Sequence, residues 1–258
     1  ERTVVFYPSG RVGSVAGSLR VSRLVVYSDF ALHLRSEEMQ ARPGRPSGQP
    51  GSVERIVLGS SEVRADHIEV LPRGIVTGGD YALFAADVRV RGTTSGQGVI
   101  TAEGAGSPLP VVGNALYAGC GGPHGGRPGA LVTAPCLDLE PFGNPLDPST
   151  PGSSGFGPGT NYTNDGLATD VTFLAERSRG GGTVRIDAAR FECDGAVLAS
   201  GKSALPPDGS FASPERWGGG AGGSIVIVAN TYVTTRGCQV VASGGSAGAG
   251  QGSGGTSI

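Results

Sequence analysis

The chain has 258 residues, of which 47 are glycine and 18 are proline, and its formal net charge is −2. Glycine occurs roughly two and a half times as often as the average of about 7%, but β-branched runs separate the glycine clusters, which favours ordered strands over a disordered chain. The 19 arginines are scattered singly, so composition argues against a nucleic acid partner. No apolar run approaches the roughly 18–20 residues of a membrane-spanning helix.

Residues 1–77 are predicted to form an N-terminal region of short β-strands. Alternating apolar and polar residues, or short apolar runs, mark each strand. The predicted strands are 3–7, 18–22, 24–27, 53–58, 63–65, 68–71 and 74–76. Residues 36–52 form a loop rich in Pro, Gly, Gln and Ser that we expect to be exposed.

Residues 78–258 contain a repeat of short strands and glycine-rich turns. Each copy opens on Gly-Gly, continues through strand-like runs and a glycine turn, and closes on Ala-x-Gly. The copies are 78–104, 181–201 and 222–244, and a Gly- and Pro-rich insertion at 105–180 separates the first from the second. Such repeats predict an all-β parallel β-helix, a solenoid with long loop insertions.

Glycine has two expected roles in this architecture. The glycine of each Ala-x-Gly ending, such as Gly104 and Gly201, is expected to form a corner at positive φ. The Gly-Gly runs before each repeat are expected to let neighbouring loop backbones lie flat against one another.

These motifs resemble the glycine-rich, right-handed parallel β-helix modules of large extracellular proteins. The resemblance rests on Gly-Gly-Gly-Ala-Gly-Gly-Ser-Ile at 218–225 and Ala-Ser-Gly-Gly-Ser-Ala-Gly-Ala-Gly at 242–250, with further glycine-rich loops at 119–129 and 141–143. It covers roughly residues 78–258 and implies structural, adhesive or assembly roles at a cell surface. Together with the Arg, Ala and Gly bias, it resembles a green-algal cell-surface or flagellar-surface protein. It carries no catalytic motif.

Four cysteines, Cys120, Cys136, Cys193 and Cys238, contain no CxxC pair, so we expect no zinc site. An even number fits two disulfides in an oxidising compartment, and three pairings are open. We favour Cys120–Cys136, which closes a Gly/Pro loop, and Cys193–Cys238, which links successive repeats at a similar turn. Free buried thiols are the alternative.

Asn161 lies in an Asn-Tyr-Thr sequon within the insertion, and in a secreted chain it is the expected glycosylation site. Residues 164–170 offer oxygen ligands, but the calcium-loop pattern fails because Thr172 stands where Glu is required. We therefore expect a turn there, and neither a metal nor a cofactor.

The densest titratable group is Glu62, Asp66, His67 and Glu69. Adjacent residues of a strand point to opposite faces, so Asp66 and His67 should not share a site. Paired carboxylates in a groove would suit a polysaccharide lyase or hydrolase, but no complete catalytic constellation is visible. His33 is isolated, and His124 lies in a glycine loop and is expected to be exposed.

The sequence therefore predicts a structural module of a secreted or cell-surface protein, and we expect a piece of a longer chain. It would act as a rigid spacer, assembly or adhesion unit without enzymatic activity. Its expected partners are other subunits, flanking repeats of the same chain, or glycans, but not nucleic acid. The alternatives are a carbohydrate-active enzyme and a glycan-binding adhesin, although a single tryptophan, Trp217, supplies few rings for sugar stacking.

Overall fold

A computed structural model describes residues 3–6, 13–35, 61–106, 121–122, 124, 143–144, 146, 148–155, 178–203 and 218–246. These residues contain fifteen β-strands. The strands are β1 Thr3–Phe6, β2 Gly13–Ala16, β3 Ser18–Arg20, β4 Arg23–Val26, β5 Ala31–Arg35, β6 Ser61–Val70, β7 Ile75–Gly78, β8 Asp80–Val90, β9 Gly92–Thr93, β10 Gly96–Gln97, β11 Val99–Thr101, β12 Thr183–Cys193, β13 Ala196–Leu198, β14 Ser224–Thr234 and β15 Gln239–Val241.

The strands form two large parallel sheets and one small hairpin. Sheet A has seven strands in the order β1-β4-β6-β8-β12-β14, with β3 also paired to β6. Sheet B has six strands in the order β2-β5-β7-β11-β13-β15, and β9 and β10 form the antiparallel hairpin. From β4 onwards, apart from the hairpin, the chain visits the two sheets alternately, so each repeat adds one strand to each sheet.

The prediction of a parallel β-helix solenoid is wrong. The chain is all-β and its large sheets are parallel, but the sheets are flat and open, and they neither close into a barrel nor wind into a solenoid. Parallel sheets are typical of α/β proteins, in which helices cover their faces. No helix occurs among the described residues, and the hydrophobic core instead contains side chains from both sheets. A repeat of short strands indicates which strands lie side by side in parallel, but it does not determine whether the sheets close.

Equivalent positions of the aligned repeats pair with one another in the sheets. Asp80, Thr183 and Ser224, which follow the three Gly-Gly pairs, lie side by side on β8, β12 and β14. Inward side chains therefore form continuous rows across the strands, and successive strands bury the same row. The principal rows are Leu24, Ile68, Val88 and Phe191 in sheet A and Leu32, Val76, Ile100 and Val197 in sheet B, each at most 1% exposed.

Beside the sheets lies a glycine layer, in which glycine-rich segments pack backbone against backbone. Hydrogen bonds link these segments, for example from Gly152 N–H to Gly181 O at 2.7 Å and from Gly181 N–H to Ala221 O at 2.9 Å. A Cβ on Gly181 would lie 1.7 Å from Ala199 O, so no larger residue fits this spacing. The expectation that the Gly-Gly runs let backbones lie together is confirmed. The layer contains residues 79, 102–106, 122, 124, 150–155, 178–182, 199–203, 218–223 and 245.

The expected glycine corners are only partly found. Gly104 has φ of 55°, in the region that disfavours other residues. Gly201 does not have positive φ, and glycine is needed there because a Cβ would approach Gly220 O to 2.2 Å. Close packing, rather than turning, therefore explains much of the glycine content.

Candidate functional site

The outward face of sheet A carries a charged ladder, which we define as Arg23, His67, Glu69, Asp87, Arg89, Arg91, Arg190 and Glu192. These residues alternate with buried ones such as Ile68, Val88 and Phe191, so the period of two places them on one face. The parallel register sets Asp87 beside Arg190 and Arg89 beside Glu192. Opposite charges thus face each other across neighbouring strands.

The arginines and carboxylates of the ladder form one connected network of ion pairs. Glu69 forms ion pairs with Arg23 and Arg91, each with an N–O distance of 3.2 Å, and Arg91 also pairs with Glu192 at 2.5 Å. Partial burial lowers the pKa of Arg91, but the hydrogen bonds and charges of both glutamates outweigh it, so the net pKa is raised. Arg91 therefore remains charged and connects β6 to β12.

Asp87 is the most buried carboxylate of the ladder, with a side chain that is 11% exposed. Its Oδ2 lies 2.6 Å from Arg89 Nε and 3.6 Å from His67 Nδ1, whereas Oδ1 has no hydrogen-bond partner. The Arg89 contact is close, but its angles are not those of a hydrogen bond. These side chains line a depression of about 230 Å³.

The carboxylates of the ladder are all held in ion pairs. Glu69, Asp87 and Glu192 each lie within 4 Å of an arginine, so none of the three is unpaired. None of the described residues that line the depression has an aromatic ring. The arrangement suits electrostatic attachment of adjacent strands.

The structure separates the titratable residues that the sequence grouped. His67 and Glu69 belong to the ladder, whereas Asp66 lines a different depression of about 620 Å³ with Arg64 and Phe84. Asp66 and His67 therefore do not share a site, as expected. Glu62 pairs with Arg64 at 3.1 Å. Sequence reasoning missed Asp87, Arg89, Arg190 and Glu192, although aligning the repeats would have placed their opposite charges side by side.

The predicted Cys193–Cys238 disulfide is present, with the two Cα atoms 5.3 Å apart. Cys193 is the last residue of β12 and is fully buried, while Cys238 lies between β14 and β15. The bond therefore ties the connection of the last two strands to the core.

The expectation that His124 is exposed is wrong, because its side chain is fully buried in the glycine layer. Since a carbonyl only accepts, Nδ1–H donates to Gly222 O at 2.8 Å, and Nε2 accepts from the Thr150 hydroxyl at 3.1 Å. Burial lowers the pKa of His124, and its contacts with the backbone of Gly222 and Thr150 only partly offset this effect. His124 is thus a neutral internal link between glycine-rich segments. His33 lies on β5 of sheet B.

The two sheets end at the same side in an open edge, formed by β14 and β15. Among the described residues, no strand pairs with the outer side of either. Tyr232 continues the buried sheet A row but is 53% exposed, and Val240 continues the buried sheet B row but is 51% exposed. Val228 and Val241 are also exposed here, at 47% and 37%. The core therefore reaches the surface at this edge.

Several predicted residues lie outside the described ranges, namely Asn161, Cys120, Cys136 and the turn at 164–170. Within those ranges, no group of three or more His, Cys, Asp or Glu side chains is placed to hold a metal ion. The described part of the chain also has no helix of the length and apolarity that crossing a membrane requires.

Comparisons with models of known protein families, with curated proteins and with solved structures find no match to this chain. The geometry of the charged ladder and the open edge is therefore the basis for inferring function.

Proposed function

We propose that this chain is a non-enzymatic structural module of a secreted or cell-surface protein, which assembles through the open edge of β14 and β15. The observation that carries the proposal is the exposure of Tyr232 and Val240, because β4, β6, β8 and β12 bury the row of Tyr232, and β5, β7, β11 and β13 bury the row of Val240. An exposed strand edge with apolar side chains is a template for adding another strand. Stacking a further strand on each sheet would bury both rows.

The occupant that best fits this edge is the β1–β2 edge of a second copy. All strands of the large sheets are parallel, so a copy placed head to tail preserves the parallel pairing. β1 is Thr-Val-Val-Phe, and its Val4 stands in the same register row as Tyr232. Because such a contact joins two different surfaces, it does not close and would extend into a filament.

Rigidity along the stack comes from three features. The charged ladder joins β4, β6, β8 and β12, the glycine layer joins distant segments by backbone hydrogen bonds, and the disulfide secures the last strands. A module of this kind suits a spacer or lattice unit. We do not propose a carbohydrate-active enzyme, because the ladder couples its carboxylates to arginines.

The assembly proposal is tested by sedimentation velocity over a wide range of protein concentration. We expect concentration-dependent association that Val240→Lys weakens strongly, because a charge would enter the apolar row. Leu146→Lys is the matched control, since Leu146 is 94% exposed and belongs to neither β14 nor β15, and it should leave association unchanged. Association that is indifferent to Val240→Lys would contradict the proposal.

The secreted setting is a separate part of the proposal, and the disulfide supports it, because disulfides persist mainly in oxidising compartments. Peptide mass spectrometry of native, unreduced protein tests it. We expect linked Cys193 and Cys238 peptides and a glycan on Asn161. Free thiols with an unmodified Asn161 would argue for an intracellular protein.

A further inference from the structure

The side chain of Tyr232 bonds to the outer side of its own strand, β14. Its hydroxyl donates to Ile227 O at 2.6 Å and accepts from Ala229 N–H at 3.1 Å. Ser224 N–H bonds to Gly182 O, so the backbone groups of Ser224 face β12. Because this direction alternates along a strand, the backbone groups of Ile227 and Ala229 face away from β12. Tyr232 therefore occupies two backbone groups at the free edge of sheet A.

A second copy placed head to tail would pair with a different part of this edge. The registers that lead from β1 through β4, β6, β8 and β12 to β14 place Thr3–Phe6 opposite residues 231–234. β3 stands in the register of residues 226–228, and no described strand pairs with its outer side. The described strands of the copy would therefore leave the first half of β14 unpaired, and this half contains the two groups that Tyr232 occupies.

The first half of β14 nevertheless offers β1 an equivalent place to pair. Tyr232 and Ile227 both stand opposite buried residues of β12, so both belong to the inward face. Thr235 N–H bonds to Cys193 O, so by alternation the backbone groups of Tyr232 face away from β12, as those of Ile227 do. A β1 strand moved from Tyr232 to Ile227 would keep both its inward face and its hydrogen-bonding pattern.

We propose that Tyr232 is a register stop for assembly: its hydroxyl occupies Ile227 and Ala229, so that the β1 strand of a second copy pairs only with residues 231–234. This inference rests on the proposed function, because it concerns the same edge and the same partner, and it specifies where on that edge the partner binds. Edge strands are commonly protected against unwanted pairing. Here the phenol, in the position it holds, protects the half of β14 that the proposed register leaves free.

The test is disulfide trapping between two copies, because directly paired residues of adjacent strands lie close enough for a disulfide. One copy carries Val5→Cys. The other carries either Val233→Cys, which reports the proposed register, or Val228→Cys, which reports the moved register. After mild oxidation, peptide mass spectrometry should find the link to position 233 and little link to position 228.

Tyr232→Phe in the second copy keeps the ring and removes the hydroxyl. Pairing in the moved register then no longer replaces two existing hydrogen bonds, so the ratio of the 228 link to the 233 link should rise roughly 5- to 150-fold. Tyr81→Phe is the matched control, since it removes a buried hydroxyl on β8 that donates to Thr101 O at 3.1 Å, and it should leave the ratio unchanged. Amide hydrogen exchange at Ala229 should become faster in monomeric Tyr232→Phe, and an unchanged rate would overturn the contact on which the register stop depends.

The outcomes separate the register stop from the proposed function. Equal ratios with and without Tyr232→Phe, or a link to position 228 that already dominates in the unaltered background, would overturn the register stop and leave the assembly module standing. Association without either link would overturn the β1 strand of a second copy as the occupant. Monomeric sedimentation without either link would overturn the assembly module itself.

Discussion

Removing the Cys193–Cys238 disulfide should destabilise the chain by a calculable amount. The bond joins residues 45 apart in sequence. For a closed loop of that length, the chain-entropy relation corresponds to about 4 kcal/mol at 25 °C. We choose the double variant Cys193→Ala and Cys238→Ala, because alanine avoids placing a hydroxyl in the core at the buried Cys193 position. The expected loss in the free energy of unfolding is about 2–4 kcal/mol.

The assay is urea denaturation followed by far-ultraviolet circular dichroism, with a thermal scan as a second measure. For a protein of this size, a loss of about 4 kcal/mol corresponds to a Tm lower by roughly 8–16 °C. Adding reductant to the double variant is the control, because any further decrease then comes from Cys120 and Cys136. A loss below about 1 kcal/mol would show that residual structure already restricts this loop in the unfolded chain, and the entropy argument would fail.

Two further predictions concern the glycine layer. Gly182→Ala should destabilise the chain by at least about 1–3 kcal/mol in urea denaturation, because its Cβ would lie 1.9 Å from Gly79 O. Gly79→Ala is the control, because its Cβ would have its nearest atom at 3.2 Å, and it should cost less than about 1 kcal/mol. Equal effects of the two substitutions would refute close packing as the cause. Burial lowers the folded-state pKa of His124 below its ordinary value of 6.5, so the unfolded chain binds the proton first, and the contribution of His124 to stability is complete above about pH 6.5 and declines as the pH falls. His124→Gln should therefore show a smaller decrease in Tm between pH 8 and pH 5 than the unaltered chain, and identical slopes would exclude His124 as the source.

The repeats predicted the register well, because a parallel ladder requires equivalent residues to stand side by side. Aligning the Gly-Gly pairs places Asp80, Thr183 and Ser224 together, as the structure does. The same alignment cannot predict whether the sheets close, since closure depends on the connections between strands rather than on their order. The repeat pattern therefore predicted correctly that neighbouring strands are parallel, and the further prediction of a solenoid was wrong.

The error at His124 has a different origin. A glycine-rich environment usually indicates an exposed loop, but the partners that bury His124 are distant in sequence, with Gly222 98 residues away. Glycine clusters are ambiguous in this respect, because the residue that permits a flexible turn also permits backbones to touch. Only the long-range contacts decide between the two, and a local pattern does not contain them.

The position of the disulfide connects stability to the proposed assembly. Cys193 closes the row of Val70 and Val90, and the next residue of that row, Thr234, is exposed. The disulfide and the ring of Tyr232 thus both lie where hydrophobic burial stops. An edge that is to receive another copy cannot be stabilised by covering its core, since a cover would block the partner. A covalent bond beneath the edge stabilises β14 while leaving its outer side able to pair.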